Sequence, residues 1–139
     1  MKEESTLLVI DDDEDTRILI EAVLNSLGHQ VILAESGEKG IEELDSEEKS
    51  SRFDAIFLDL MMPGISGFGV IEALKAMDHA RDIPVVMLTA KDSANDMITG
   101  YKFGADYYIT KPFTREQITF GLNIIFDDEK SELDKLSEK

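Results

Sequence analysis

Short apolar runs alternate with longer amphipathic stretches along the whole chain. Leu7 to Ile10 is apolar with β-branched residues, which predicts a first strand. Glu14 to Leu27 repeats its apolar residues at helical spacing, with Ile20, Val23, Leu24 and Leu27 on one stripe and Gly28 as the stop. Val31 to Ala34 predicts a second strand, and Ser36 can cap a helix through Leu44. Asp45 to Arg52 is charged and reads as a helix end plus loop, not as a linker between domains. Ala55 to Leu58 is almost continuously apolar, the pattern of a strand buried on both faces. Gly67 to about Met77 predicts a third helix with Val70, Ile71 and Leu74 inward. Pro84 opens a fourth strand, Val85 to Leu88, at a position that tolerates a missing amide proton. Ser93 to Phe103 predicts a fourth helix ended by Gly104. Tyr107 to Thr110 predicts the fifth strand, and Thr114 caps a fifth helix through about Phe126.

Strict alternation of strands and helices with short connections implies parallel strands joined by right-handed crossovers. The expected architecture is α/β, a flavodoxin-like three-layer sandwich whose five-stranded sheet has the order 2-1-3-4-5, with strands 1 and 3 adjacent at the switch point. At 139 residues the chain suits one domain with a sizeable core. The domain is expected over residues 1–126, followed from Asp127 to Lys139 by a charged tail or truncated linker.

Composition narrows the function classes. The formal net charge is -16, which argues against nucleic acid, since phosphate contacts need clustered Lys and Arg. It equally disfavours an anionic membrane surface, and it permits a cation site or a partner with a basic patch. Cysteine is absent, so disulfides, thiolate zinc sites and a Cys nucleophile are excluded. No apolar run approaches the length of a membrane span. The polar start, Met1 to Thr6, argues against a secretory signal, and a cytoplasmic protein is the simplest expectation.

The candidate chemistry gathers at strand ends. The first strand runs into Asp11-Asp12-Asp13-Glu14-Asp15, and the third into Asp59. In the expected topology Asp11 and Asp12 face Asp59 across the switch point. Carboxylates about 5 Å apart repel by roughly 3 kcal/mol at an effective dielectric near 20, so the cluster calls for a cation. Oxygen-only donors suit Mg²⁺, with Mn²⁺ as an alternative, and Mg²⁺ commonly combines one or two carboxylates with a phosphate oxygen. Glu14 and Asp15 are explained simply by the start of a helix, where negative charge is favourable. An EF-hand reading of Asp11, Asp13 and Asp15 fails, because Thr16 and Ala22 stand where it needs Gly and Glu. A flavin phosphate site fails as well, because the loop is anionic. The fourth strand delivers Thr89-Ala90 to the same edge, and the fifth delivers Lys111-Pro112-Phe113. His29 and His79 read as surface residues without chemistry, and Tyr107 as a strand packing or surface residue.

Four motifs stand in order at fixed spacings: Val9-Ile10-Asp11-Asp12, Leu58-Asp59-Leu60-Met61-Met62-Pro63-Gly64, Leu88-Thr89-Ala90, and Gly104-Ala105-Asp106-Tyr107-Tyr108-Ile109-Thr110-Lys111-Pro112-Phe113. From about Leu7 to Phe126 the chain resembles the receiver domain of bacterial two-component response regulators, of the chemotaxis-regulator kind. The resemblance implies that Asp59 is the phospho-acceptor, charged from a phosphohistidine on a sensor histidine kinase or a histidine phosphotransfer protein. It implies that Asp12, Asp59 and the Met61 carbonyl bind Mg²⁺ and that Asp11 orients a water of its shell. It implies that Lys111 pairs with Asp59 and then with a phosphoryl oxygen, that the Lys111–Pro112 bond is cis, and that Thr89 bonds the phosphoryl group. Tyr108 would rotate inward as Thr89 moves, and the fourth helix, fifth strand and fifth helix would form the readout surface for a downstream effector. A monomer or a weak, phosphorylation-linked dimer is expected.

Ile65-Ser66-Gly67 departs from the family's frequent Met-Asp-Gly and removes one surface acid. Met61 and Lys91 flank the expected path of a hydrolytic water, and apolar Met61 implies a long-lived phosphoryl group. Thr16, Leu19 and Ala22 are expected to face outward beside the site, as a stripe suited to a kinase helix. Two rival readings are a Mg²⁺-dependent phosphohydrolase with a transient aspartyl phosphate, disfavoured by Met61 in place of a second Asp, and a pseudo-receiver serving only as an interaction module.

Overall fold

In the computed structural model, which describes residues 4–90 and 94–126, each apolar run becomes a strand. These are β1 (Thr6–Ile10), β2 (Gln30–Ala34), β3 (Ala55–Asp59), β4 (Val85–Thr89) and β5 (Tyr107–Thr110). They form one parallel sheet in the expected order β2-β1-β3-β4-β5. Between and after them lie α1 (Glu14–Ser26), α2 (Gly37–Glu42), α3 (Glu47–Ser50), α4 (Gly67–Lys75), α5 (Ala94–Phe103) and α6 (Arg115–Ile125).

The register decides which residues meet. Leu8 and Ile10 of β1 lie beside Ile56 and Leu58 of β3, while Leu7 and Val9 lie beside Ala55 and Phe57. Successive side chains leave opposite faces, so the two sets feed two cores. One holds Leu8, Ile10, Ile56, Leu58 and Met87 against Val70, Ile71 and Leu74 of α4. The other holds Leu7, Val9, Phe57, Val86 and Leu88 against Ile20 and Leu24 of α1 and Ile118 and Leu122 of α6. Each fully buried aliphatic or aromatic side chain contributes about 1.5–3 kcal/mol. The helices that clamp the sheet are therefore fixed mainly by these stripes, and local capping sets where they begin.

Capping also explains a correction. The second helix ends at Glu42, not Leu44, and the charged stretch after it is not loop alone. Leu44 turns into the core, and Ser46 caps a separate turn, α3, by accepting from the Lys49 N–H at 3.2 Å. Ser50 of that turn is buried and its hydroxyl donates to the His79 carbonyl at 3.1 Å, tethering α3 to the loop after α4. Gly28 ends α1 with a φ of 91°, a conformation open to glycine at little cost.

His79 lies at the surface as expected, but His29 does not. His29 is buried, and its Nδ1 accepts the Ser5 N–H at 3.0 Å, so the ring pins the start of β1. Burial lowers its pKa against the opposing pull of Asp54 and Glu4. A histidine in a turn carries no sequence mark of this bond. The expected helix start at Ser93 and the charged segment 127–139 lie outside the described residues. Among the described residues no helix is long and apolar enough to cross a membrane.

Candidate functional site

β1 and β3 deliver their acids to one edge. The Asp11 N–H still donates to Ala34 of β2 at 3.1 Å, so the pairing continues one residue past β1 before the chain turns. Asp11 is fully buried. Its Oδ1 accepts from the Asp13 N–H at 2.9 Å, and its Oδ2 accepts from Lys111 Nζ at 2.9 Å. Its backbone carbonyl accepts from Arg17 Nη1 at 2.7 Å. Asp13 is the N-cap of α1, accepting from both the hydroxyl and the N–H of Thr16. The hydroxyl bond holds its carboxyl below the ordinary range. Asp12 projects to the surface between them.

Asp59 is the last residue of β3 and is only 4 % exposed. Its Oδ1 accepts from the Met61 N–H at a long 3.4 Å and faces Lys111 Nζ at 3.6 Å. Burial, reinforced by the Asp11 carboxylate and opposed by Lys111, pushes Asp59 up to about 7. For Lys111, burial works toward a lower pKa, but its hydrogen bond and charge attraction to Asp11, with a smaller pull from Asp59, raise it above its ordinary value. The nearer carboxylate of Lys111 is thus Asp11, with Asp59 second.

Asp11, Asp12 and Asp59 each offer an oxygen within 4.8 Å of the others. At that spacing each ionised pair repels by roughly 3 kcal/mol at an effective dielectric near 20. Three carboxylates against one ammonium leave an excess of negative charge. The donors are all oxygen, two are buried, and the third is open to solvent. That set fits a small hard divalent cation that keeps part of its water shell.

Other residues arrive as the topology demands. Thr89, the buried last residue of β4, lies one position beyond Leu88, which pairs with Asp59. The Lys111 N–H donates to the Thr89 carbonyl at 2.6 Å, and the Lys111–Pro112 bond is cis. Gly67 opens α4 directly under the end of β3: a Cβ there would lie 2.5 Å from the Asp59 carbonyl oxygen. Tyr108 is buried in the α4-side core, with its ring centroid 6.0 Å from that of Tyr101 on α5. Tyr107 is half-buried, and its ring meets that of Phe120 of α6 at a tilt of 54° with centroids 5.9 Å apart. Met61 is 70 % exposed beside Asp59, whereas Lys91 lies outside the described residues. A cleft of about 390 Å³ next to the site is lined by Thr16, Leu19, Ala90, Lys111, Pro112 and Phe113. Leu19 and Ala22 face outward as expected, Thr16 is half-buried, and Ile18 is a further exposed apolar residue.

Arg17 was not marked by sequence reasoning. Its one signal is that it is the first basic residue after Lys2, one turn into a helix opened by acids. Its reach to the Asp11 carbonyl depends on the packing of α1.

Comparison with known proteins bears on the family and the fold. The family model for the response regulator receiver domain matches residues 7–123. A probable transcriptional regulator, ycf27 of Porphyridium aerugineum, is 38% identical over 112 residues, 81% of this chain and 44% of that protein. The chain spans about half the length of the curated relatives it matches. Among solved structures, the chemotaxis protein CheY4 of Vibrio cholerae superimposes with a TM-score of 0.80 at 26% identity, covering 88% of this chain and 98% of that one. The receiver domain of a sensor histidine kinase from Pseudomonas aeruginosa, described with a magnesium ion coordinated in its active site cleft, superimposes with a TM-score of 0.74 at 30% identity, covering 86% of this chain and 95% of that one.

Proposed function

The chain belongs to the response regulator receiver-domain family, and from that premise we propose that it is a phosphorylation switch with Asp59 as the phospho-acceptor. The observation that carries this reading is the buried Asp59 carboxylate, within 4.8 Å of Asp11 and Asp12 and 3.6 Å from the Lys111 ammonium.

Phosphoryl transfer asks chiefly for alignment and for neutralisation of charge on the transferred group. A carboxylate oxygen of Asp59 forms the new bond to phosphorus as the phosphorus–nitrogen bond of a phosphohistidine donor breaks, the bonding pair leaving with the imidazole. Asp59 must be ionised to act, and Lys111 pulls its pKa down from the value that burial imposes. Lys111 then serves an incoming phosphoryl oxygen, and the Thr89 hydroxyl donates to another. Magnesium, held by Asp12, Asp59 and the Met61 carbonyl with Asp11 orienting a water of its shell, would supply further charge neutralisation.

Contacts made only in the phosphorylated state bias an existing equilibrium. The tilted ring contact of Tyr108 with Tyr101 links β5 to α5, and that of Tyr107 with Phe120 links β5 to α6. The readout surface is therefore α5, β5 and α6. One relative is named a probable transcriptional regulator, so the effector proposed for this surface is one that acts on transcription. The donor is a sensor histidine kinase or a histidine phosphotransfer protein.

Incubation with acetyl phosphate and Mg²⁺, followed by intact-mass analysis and peptide mapping, tests the reading. One hydroxylamine-labile phosphoryl group on Asp59, lost in Asp59→Ala and in EDTA, is the expected result. Labelling at another residue, or steady turnover of a phosphomonoester, would overturn it.

A further inference from the structure

We infer that Arg17 is a positioning residue that sets the affinity of the acid cluster for its divalent cation by fixing the peptide between Asp11 and Asp12. The inference rests on the magnesium reading above.

Two separate sets of bonds hold the turn after β1. The Asp11 side chain is tied by the Asp13 N–H and by Lys111. The backbone is tied differently, because the Asp11 carbonyl accepts from Arg17 Nη1 at 2.7 Å. That carbonyl belongs to the peptide whose nitrogen is Asp12. Tilting this peptide swings the Asp12 carboxylate, the exposed member of the cluster, while leaving the buried Asp11 carboxylate on its own anchors.

Arg17 can act as a fixed strut because α1 is itself fixed. Ile20 and Leu24, on the turns that follow, are fully buried against the sheet. A guanidinium with several donors in a rigid plane suits this task better than a flexible ammonium. Groups that orient a metal ligand without touching the metal characteristically change affinity when removed.

Charge alone predicts the opposite sign. Arg17 is a cation beside a cation site, so deleting its charge would tighten Mg²⁺ binding if long-range attraction were its role. Loss of positioning weakens it.

Calorimetric titration of Mg²⁺ at fixed ionic strength into wild type, Arg17→Met and Arg17→Lys decides between them. Circular dichroism and melting in EDTA establish that each variant is folded. We expect the Kd for Mg²⁺ to rise roughly tenfold in Arg17→Met, with a smaller rise in Arg17→Lys. Arg17→Met binding as tightly as wild type, or more tightly, overturns the inference. Should that variant not fold, Arg17→Lys with wild-type affinity overturns it. A wild type that binds no Mg²⁺ overturns the magnesium reading itself and carries this inference down with it.

Discussion

Replacing Asp59 by Asn should make the metal-free protein more stable at neutral pH, although it removes the carboxylate proposed to accept the phosphoryl group. The unfolded chain holds Asp59 at an ordinary carboxylate value near 3.8, whereas the fold pushes it up to about 7. Between those values the folded protein binds a proton that the unfolded chain has released, so this group's contribution is largest at low pH and is lost as pH rises through about 7. The shift corresponds to at most about 4 kcal/mol. Charge pairs alone do not account for it. Attraction to Lys111 at 3.6 Å is about 4–5 kcal/mol at an effective dielectric near 20, and repulsion from Asp11 and Asp12 together is about 6–7 kcal/mol, a net of only about 2 kcal/mol. The remainder is the cost of burying a charge, which a neutral amide of nearly the same shape avoids. Allowing for relaxation, the gain for Asp59→Asn is about 2 kcal/mol at about pH 7.5, or roughly 6 °C in Tm for a domain of this size. Urea unfolding in EDTA and low salt, followed by far-UV circular dichroism, measures it. The advantage should shrink by most of its size at about pH 5, where the folded wild type has taken up its proton. Asp59→Asn no more stable than wild type at about pH 7.5, or an advantage independent of pH, would refute the reasoning.

Further outcomes follow from neighbouring residues. Met61→Asn places a polar group beside Asp59 and should shorten the phosphoryl lifetime by roughly tenfold through better placement of water; an unchanged autodephosphorylation rate excludes that role. Gly67→Ala should cost about 1–3 kcal/mol by overpacking and slow phosphorylation, since its Cβ would press on the Asp59 carbonyl; wild-type stability in urea would show that α4 simply moves aside. Leu19→Arg, at the cleft bordered by Lys111 and Phe113, should slow transfer from a kinase but not from acetyl phosphate, and equal loss with both donors would place the defect in the site itself.

Alternation of apolar runs and helical stripes was enough to predict every strand, their parallel order and the edge where Asp11, Asp12, Asp59, Thr89 and Lys111 collect. The elements are consequences of hydrophobic period, which is written locally along the chain, and the sheet order follows from the doubly wound architecture that their alternation implies. Other features depend on distances between residues far apart in sequence. Leu44 and Ser46 look like the end of one helix, yet the core takes the first and the second caps a new turn. His29 looks like a turn residue until the start of β1 brings the Ser5 N–H to its ring. Lys111 meets Asp11 more closely than Asp59, and Arg17 reaches the back of the acid pair. The sequence by itself determined which groups share the site, because strand ends are set by hydrophobic period. Only the tertiary structure decided which oxygen each cation holds and how far Asp59 is driven from its ordinary pKa, because hydrogen bonds and desolvation change steeply over an ångström and no residue pattern encodes that separation.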